Sequence, residues 1–244
     1  PSVAPFLTVD GPDSVLPSVL HAADLWHRWS RLTEIVGVSA RSAEAHQRAF
    51  IAAMNVSASA QADRIVLQVD PGNARKLLDV GGASGTYTLA FLRAAPEMQA
   101  TLFDRPEVVE TARERLGAAG VLDRVSLEPG DFYHDPLPSG HDLAFVSAII
   151  HQNSPEQNVA LFRKVWAALD PGGRIVIRDY VLSPDRTSPK SGAIFAVNML
   201  SGTSGGNCYT YQEIADALNQ AGFTRVRQIH SGGQMDSLVE AFRP

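Results

Sequence analysis

The sequence predicts a doubly wound α/β fold, with a mostly parallel, seven-stranded sheet behind an N-terminal helical segment. Three observations carry that expectation. From Lys76 onward, strand-sized apolar runs alternate with helical stretches, a pattern that builds a parallel sheet covered on both faces. The glycine-rich turn Gly81-Gly82-Ala83-Ser84-Gly85 closes the first of these strands and opens the first helix. Ahead of it, residues 14–69 show only helical periodicity, and Asp70-Pro71-Gly72 marks the change of texture. The chain therefore divides into 1–70, a leader and helical segment, and 71–244, the sheet domain.

Taken in order, residues 1–13 carry Pro1, Pro5, Gly11 and Pro12 and read as an irregular leader. Val15, Val19, Ala22, Trp26, Trp29, Leu32 and Val36 then recur at spacings of three or four, one apolar stripe that reads as core. Asp13 or Ser14 can cap it, and Pro17 fits its first turn. A second helical stretch, Ala43–Val69, sets Phe50, Met54 and Ile65 among alanines. The expected strands are Lys76–Val80, Met98–Phe103, Val125–Glu128, Asp142–Ser147, Arg174–Tyr180, Arg225–His230 and Ser237–Phe242. Helices are expected over Thr86–Ala95, Pro106–Ala118, Pro155–Leu169 and Tyr211–Ala221, with another ending at Leu200. Pro171-Gly172-Gly173 reads as a turn, and Ser183–Gly192 and Ser201–Asn207 as loops.

Composition narrows the function. Of 244 residues, 45% are apolar, enough for a substantial core, and the net charge is −5. That balance argues against a nucleic-acid surface or a polybasic membrane patch. No apolar run approaches the ~18 residues that span a bilayer. Cys208 is the only cysteine, which excludes an intrachain disulfide and a thiolate metal cluster and fits a reducing cytoplasm. His21, His27, His46, His134, His141 and His230 lack metal-ligand spacing with acidic partners, so no metal is expected. No signal-peptide pattern opens the chain, and Pro1 in place of methionine reads as a processed or truncated start.

The glycine turn fails the dinucleotide pattern G-x-G-x-x-G, because Ala83 and Thr86 fall on its later glycine positions. Tight strand–helix turns also need glycine for structural reasons alone. Acids at three successive strand ends add weight. Asp79 closes the first strand, Asp104 lies 19 residues after Gly85 where a carboxylate can hold a ribose, and Asp131-Phe132 offers an acceptor and a ring to a base. No lysine or arginine in the first loop awaits a phosphate. The combination favours S-adenosylmethionine over NAD or ATP.

These residues resemble the S-adenosylmethionine-dependent O-methyltransferases of the plant caffeate/flavonoid and bacterial polyketide-tailoring type. The matching text is Leu77-Leu78-Asp79-Val80-Gly81-Gly82-Ala83-Ser84-Gly85, then Phe103-Asp104-Arg105-Pro106, Gly130-Asp131-Phe132 and Ile150-His151. Pro171 to Asp179 and Ala221-Gly222-Phe223 complete it. The resemblance implies a Rossmann-like methyltransferase sheet and a cofactor site of Asp79, Gly81, Gly82, Gly85, Asp104, Arg105, Asp131, Phe132, Ser147 and Met54. It also implies His151 as general base with Asp179 as its orienting carboxylate. Phe50, Phe195, Asn198, Met199 and Thr203 would line the pocket of an aromatic acceptor. A homodimer is compatible with the family, although its usual N-terminal dimerisation domain is mostly missing from this sequence.

The departures define what the fold must answer. Ala83 replaces a common glycine, a mild change at negative φ. Ser147 stands where the family often has lysine, and Gln152-Asn153 replaces Asp-Trp. Cys208 occupies the place of a second orienting carboxylate. Asp179 could instead be a strand-end acid paired with Arg174 or Arg178, and His151 could cap the helix at Pro155. A nucleoside-binding module without chemistry, an NAD-dependent oxidoreductase, and N- or C-methylation on the same scaffold stay open as alternatives.

Overall fold

The computed structural model describes residues 61–244, together with Trp26 and Ser30, both helical. Phe50, Met54 and, apart from Trp26, the residues of the expected N-terminal stripe lie outside the described residues. Trp26, expected in a core, is exposed. The chain divides between Phe50 and Ile51 into two compact units, and the sheet and helices below belong to the second.

The sheet comprises β1 (Lys76–Val80), β2 (Gln99–Asp104), β3 (Val125–Pro129), β4 (His141–Ser147), β5 (Leu169–Asp179), β8 (Thr224–His230) and β9 (Ser237–Phe242). Its order is β3-β2-β1-β4-β5-β9-β8. The first five strands are parallel, while β9 runs antiparallel to both β5 and β8. From β1 the chain proceeds to β2 on one side, and later places β4 on the other. That reversal opens a crevice outside the carboxyl ends of β1 and β4, the place where open α/β sheets bind ligands.

Strand alternation builds two cores. Leu78, Val80, Ala144, Val146, Ile175 and Ile177 face α4 (Pro155–Ala168) and α6 (Tyr211–Gln220). Leu77, Leu143, Phe145 and Val176 face α1 (Ala62–Val69), α2 (Thr86–Ala94) and α3 (Pro106–Ala118). Helix α1 buries Ala62, Ile65, Val66 and Val69, one face at the i, i+3, i+4, i+7 spacing, in this second core.

Two features depart from the expected pattern. Pro171-Gly172-Gly173 is no separate turn but a bulge inside β5, where pairing moves from His141–Leu169 to Leu143–Arg174. Antiparallel β9 holds it there: Gly172 N–H donates to Arg243 C=O at 3.0 Å, and Arg243 N–H to Gly173 C=O at 2.8 Å. Helix α5 spans Lys190–Gly202, so it starts earlier and runs further than expected. A two-residue parallel ladder, β6 (Val181–Leu182) with β7 (Tyr209–Thr210), draws the segment after α5 back beside the end of β5. Such short ladders leave no periodic trace in sequence.

Candidate active site

The glycine turn begins where β1 ends. Gly81 has φ 67°, and a Cβ there would lie 2.5 Å from the Ile149 side chain and 3.8 Å from Phe132. Only glycine leaves this space open. Gly82 packs on Leu102, and Gly85 is the N-cap of α2. Ala83 overturns the sequence expectation, since its φ is +49°, a left-handed conformation that costs a Cβ-bearing residue roughly 1–2 kcal/mol. Asp79 is buried beneath the turn and accepts the Thr88 hydroxyl at 2.6 Å. Burial pushes its carboxyl up to about 6, and the nearby Asp104 charge adds to the rise.

Asp104 lies at the end of β2. It accepts the Ala83 N–H at 2.8 Å on Oδ2 and the Arg105 N–H at 2.7 Å on Oδ1, so it ties the glycine turn to the second strand. Each oxygen keeps room for one further donor. Burial raises its carboxyl above the ordinary range. Arg105 is directed to the surface, where it meets Glu107 at 3.4 Å. Asp131 closes a turn by accepting the Tyr133 N–H at 2.8 Å on Oδ1. Phe132 packs beside Gly81 and Tyr133, the latter with ring centroids 4.6 Å apart.

His151 lies in a short 3-10 turn (Ile150–Gln152) just past β4, and Asp179 is the last residue of β5. Because β4 and β5 are parallel neighbours, both reach the same sheet edge. The imidazole Nδ1 is 3.0 Å from each oxygen of the buried Asp179. Asp179 also accepts the Tyr180 N–H at 2.8 Å. Arg174 pairs with Glu240 instead, at 2.8 Å, and Ser154 and Gln157 form the capping box of α4.

The turn carrying His151 is anchored by Asn153, which is wholly buried. Its Oδ1 accepts the Tyr133 hydroxyl at 2.6 Å, its Nδ2 donates to Asn158 at 2.9 Å, and its C=O accepts the Tyr209 hydroxyl. Asn158 donates in turn to Ile150 C=O at 3.0 Å. From the other side, Asn207 N–H donates to His151 C=O at 2.8 Å. Cys208 is buried with Tyr180 and Leu182, and burial, followed by the Asp179 charge, pushes its thiol up to about 12. The position therefore carries no second negative charge at neutral pH.

On the remaining side, Phe195 of α5 meets the His151 ring edge-on at 4.9 Å and Tyr180 at 5.3 Å. Asn198 is exposed and Met199 half-buried on the same helix. Thr203 has a local task, donating to Met199 C=O at 2.7 Å and accepting the Gly206 N–H at 2.8 Å. Ser147 accepts the Arg178 guanidinium at 3.1 Å. Sequence reasoning gave Tyr87, Tyr133 and Thr88 no role and named Arg178 only as a possible partner of Asp179. The clearest signal was Arg178, a charge at the end of an otherwise apolar central strand.

Among the described residues, no group of three or more His, Cys, Asp or Glu side chains is arranged to hold a metal ion, and no helix is long and apolar enough to cross a membrane. Compared with known proteins, residues 25–224 match the O-methyltransferase domain family. The chain is 36% identical over 168 residues to a 3-hydroxy-5-methyl-1-naphthoate 3-O-methyltransferase of Streptomyces sahachiroi, covering 69% of this chain and 48% of that protein. It is 30% identical over 228 residues to a tetracenomycin polyketide synthesis 8-O-methyltransferase of Streptomyces glaucescens, covering 88% and 67%. The chain thus spans about half to two thirds of the length of these relatives. A family 2 O-methyltransferase of Planctomyces limnophilus, solved with apigenin, superposes with a TM-score of 0.78 at 27% identity, over 99% of this chain and 73% of that one. The match across most of the sequence, together with the shared sheet, means that this chain belongs to the O-methyltransferase domain family.

Proposed function

We propose that the chain transfers a methyl group from S-adenosylmethionine to a hydroxyl of an aromatic small molecule, with His151 as the general base. The observation that carries this reading is the oriented His151–Asp179 pair at the crevice edge, beside the ring of Phe195. Support also comes from the two relatives, one named for O-methylation of a naphthoate and the other for 8-O-methylation in polyketide synthesis. The cofactor-binding residues are assigned to 71–244, and helix α1, from the segment before it, packs into the same core.

The residues fit the cofactor. Gly81 leaves open the space that a Cβ would fill, and Asp104 keeps acceptor capacity for ribose hydroxyls. Asp131 Oδ2, hydrogen-bonded to no backbone donor and 3.9 Å from His134 Nε2, can accept an exocyclic amine, and Phe132 offers its ring to the base. When bound, S-adenosylmethionine supplies a methyl group activated by a sulfonium charge.

The chain's own contribution is positioning and proton removal. Asp179 can only accept, so Nδ1–H of neutral His151 donates to it and Nε2 keeps its lone pair. The acceptor hydroxyl gives its proton to Nε2 as its oxygen attacks in line. Phe195 and the low exposure of the pair exclude water from that transfer. A module retired from chemistry has no need of an oriented imidazole, which favours the enzymatic reading.

Calorimetric titration with S-adenosylmethionine and S-adenosylhomocysteine, with NADH as control, is the first test. The expected result is binding of the two adenosyl ligands alone, followed by transfer to phenols that His151→Ala abolishes. Binding of NADH alone, or full turnover in His151→Ala, overturns the cofactor or the base assignment respectively.

A further inference from the structure

Arg178 is the only fully buried arginine among the described residues, 5% exposed on the face of β5 that looks toward α2. A buried guanidinium without an anion is strongly disfavoured. Yet the carboxylates on neighbouring positions are engaged elsewhere: Asp179 with His151, Glu240 with Arg174 and Arg227, and Asp236 with Arg64. Arg178 donates one bond, from Nη1 to Ser147 Oγ at 3.1 Å, and its Nε has no acceptor. The guanidinium carbon lies 5.2 Å from the ring centroid of Tyr87. The Tyr87 hydroxyl is itself buried beside the Ser147 side chain and makes no hydrogen bond of ordinary geometry.

These unsatisfied donors converge on the proposed cofactor crevice. Tyr87 is in the first turn of α2, directly after the glycine turn. Ser147 follows Val146, which pairs with Val80, so it stands across from Gly81 at the mouth of the sheet. Burial raises the Tyr87 phenol above its ordinary range, which keeps the hydroxyl a donor at neutral pH. Two donors and a hydroxyl around a buried cation match one planar anion.

We infer that Arg178, Tyr87 and Ser147 form a carboxylate subsite beside the glycine turn, and that it takes the α-carboxylate at the amino-acid end of the cofactor. The inference rests on the cofactor reading above and adds the group that anchors the end remote from the base. Asp79, buried on the same face and within electrostatic reach of Tyr87, is suited to the neighbouring ammonium.

The test compares S-adenosylhomocysteine with its decarboxylated analogue, which keeps the nucleoside, thioether and amine. Both are titrated into the wild-type chain, Arg178→Met and Tyr87→Phe. Wild type is expected to prefer the carboxylate-bearing ligand by about 10- to 100-fold, the range of a charge-assisted contact. Arg178→Met should lose most of that preference while binding the decarboxylated analogue within about threefold of wild type, and Tyr87→Phe should lose part of it. Its melting temperature should hold or rise, because an unpaired buried charge has been removed. Equal weakening of both ligands, or an undiminished preference in both variants, makes Arg178 structural and overturns the subsite alone. Failure of either ligand to bind wild type overturns the cofactor reading and the subsite with it.

Discussion

His151 and Asp179 are 28 residues apart, yet the imidazole Nδ1 lies 3.0 Å from both carboxylate oxygens. Two parallel neighbours ending at one sheet edge bring them together, and burial of Asp179 leaves its charge no better partner. The first prediction follows from this pair. His151→Ala should lower kcat by about 10²- to 10⁴-fold with little change in cofactor affinity. Asp179→Asn should also lower kcat, because an amide can donate to Nδ1 and favour the other tautomer. Single-turnover rates beside calorimetric Kd values separate the two effects.

Asp104 has two tasks, holding the Ala83 N–H and offering its remaining acceptor capacity to a ribose. Asp104→Ala should weaken binding of S-adenosylhomocysteine by about tenfold or more, the loss of a hydrogen bond to a charged group. Turnover at saturating cofactor should fall far less. Unchanged affinity would remove the ribose assignment.

Ala83 is held at φ +49° in the glycine turn. Ala83→Gly relieves that strain, and part of the gain is offset by the greater freedom of glycine in the unfolded chain. The expected net gain is up to about 1 kcal/mol, or about 2–4 °C in melting temperature. A lower melting temperature would contradict the left-handed assignment.

Asp79 titrates near 6 in the folded chain against an ordinary 3.8, because burial disfavours its charge. Between those values the native state holds more protons than the unfolded one, so stability falls as pH rises from about 4 to 6. The shift bounds this loss at about 3 kcal/mol. In Asp79→Asn, which still accepts the Thr88 hydroxyl, that decline should disappear. Urea denaturation at pH 4.5 and 7 on both proteins measures the difference.

Asn153 bridges the turn after β3 and the turn bearing His151. Asn153→Ala would leave Asn158 Oδ1 unsatisfied in the core and should cost about 2–3 kcal/mol. Tyr133→Phe leaves the buried Asn153 Oδ1 without its donor but spares the Asn153–Asn158 bond, and should cost about 1–2 kcal/mol. Equilibrium unfolding distinguishes the two, and a neutral Asn153→Ala would show that the hub is dispensable.

Much of this protein was legible in one dimension. Strands such as Lys76–Val80 and Ser237–Phe242 and the helix Pro106–Ala118 begin and end where their apolar runs and their flanking glycines and prolines place them. The glycine turn, Asp104 and Asp131 could be placed at successive strand ends because each follows directly on its own strand. His151 and Asp179 were named from a resemblance in ordered motifs, not from any local periodicity.

What the tertiary structure alone decided depends on pairing between distant segments. The bulge at Pro171–Gly173 exists because β9 supplies partners to Gly172 and Gly173, and the β6–β7 ladder exists because α5 returns the chain to Asp179. The positive φ of Ala83 is imposed by the turn it closes, whatever its side chain prefers. Arg178 read as a possible partner of Asp179, but Asp179 and Glu240 pair with other residues in the sheet, and Arg178 faces Tyr87 and Ser147. Sequence determines which residues carry charge and which are apolar, because those are properties of the residue. Which charge meets which partner is settled by packing, because burial removes water as the alternative partner and makes every unpaired group costly.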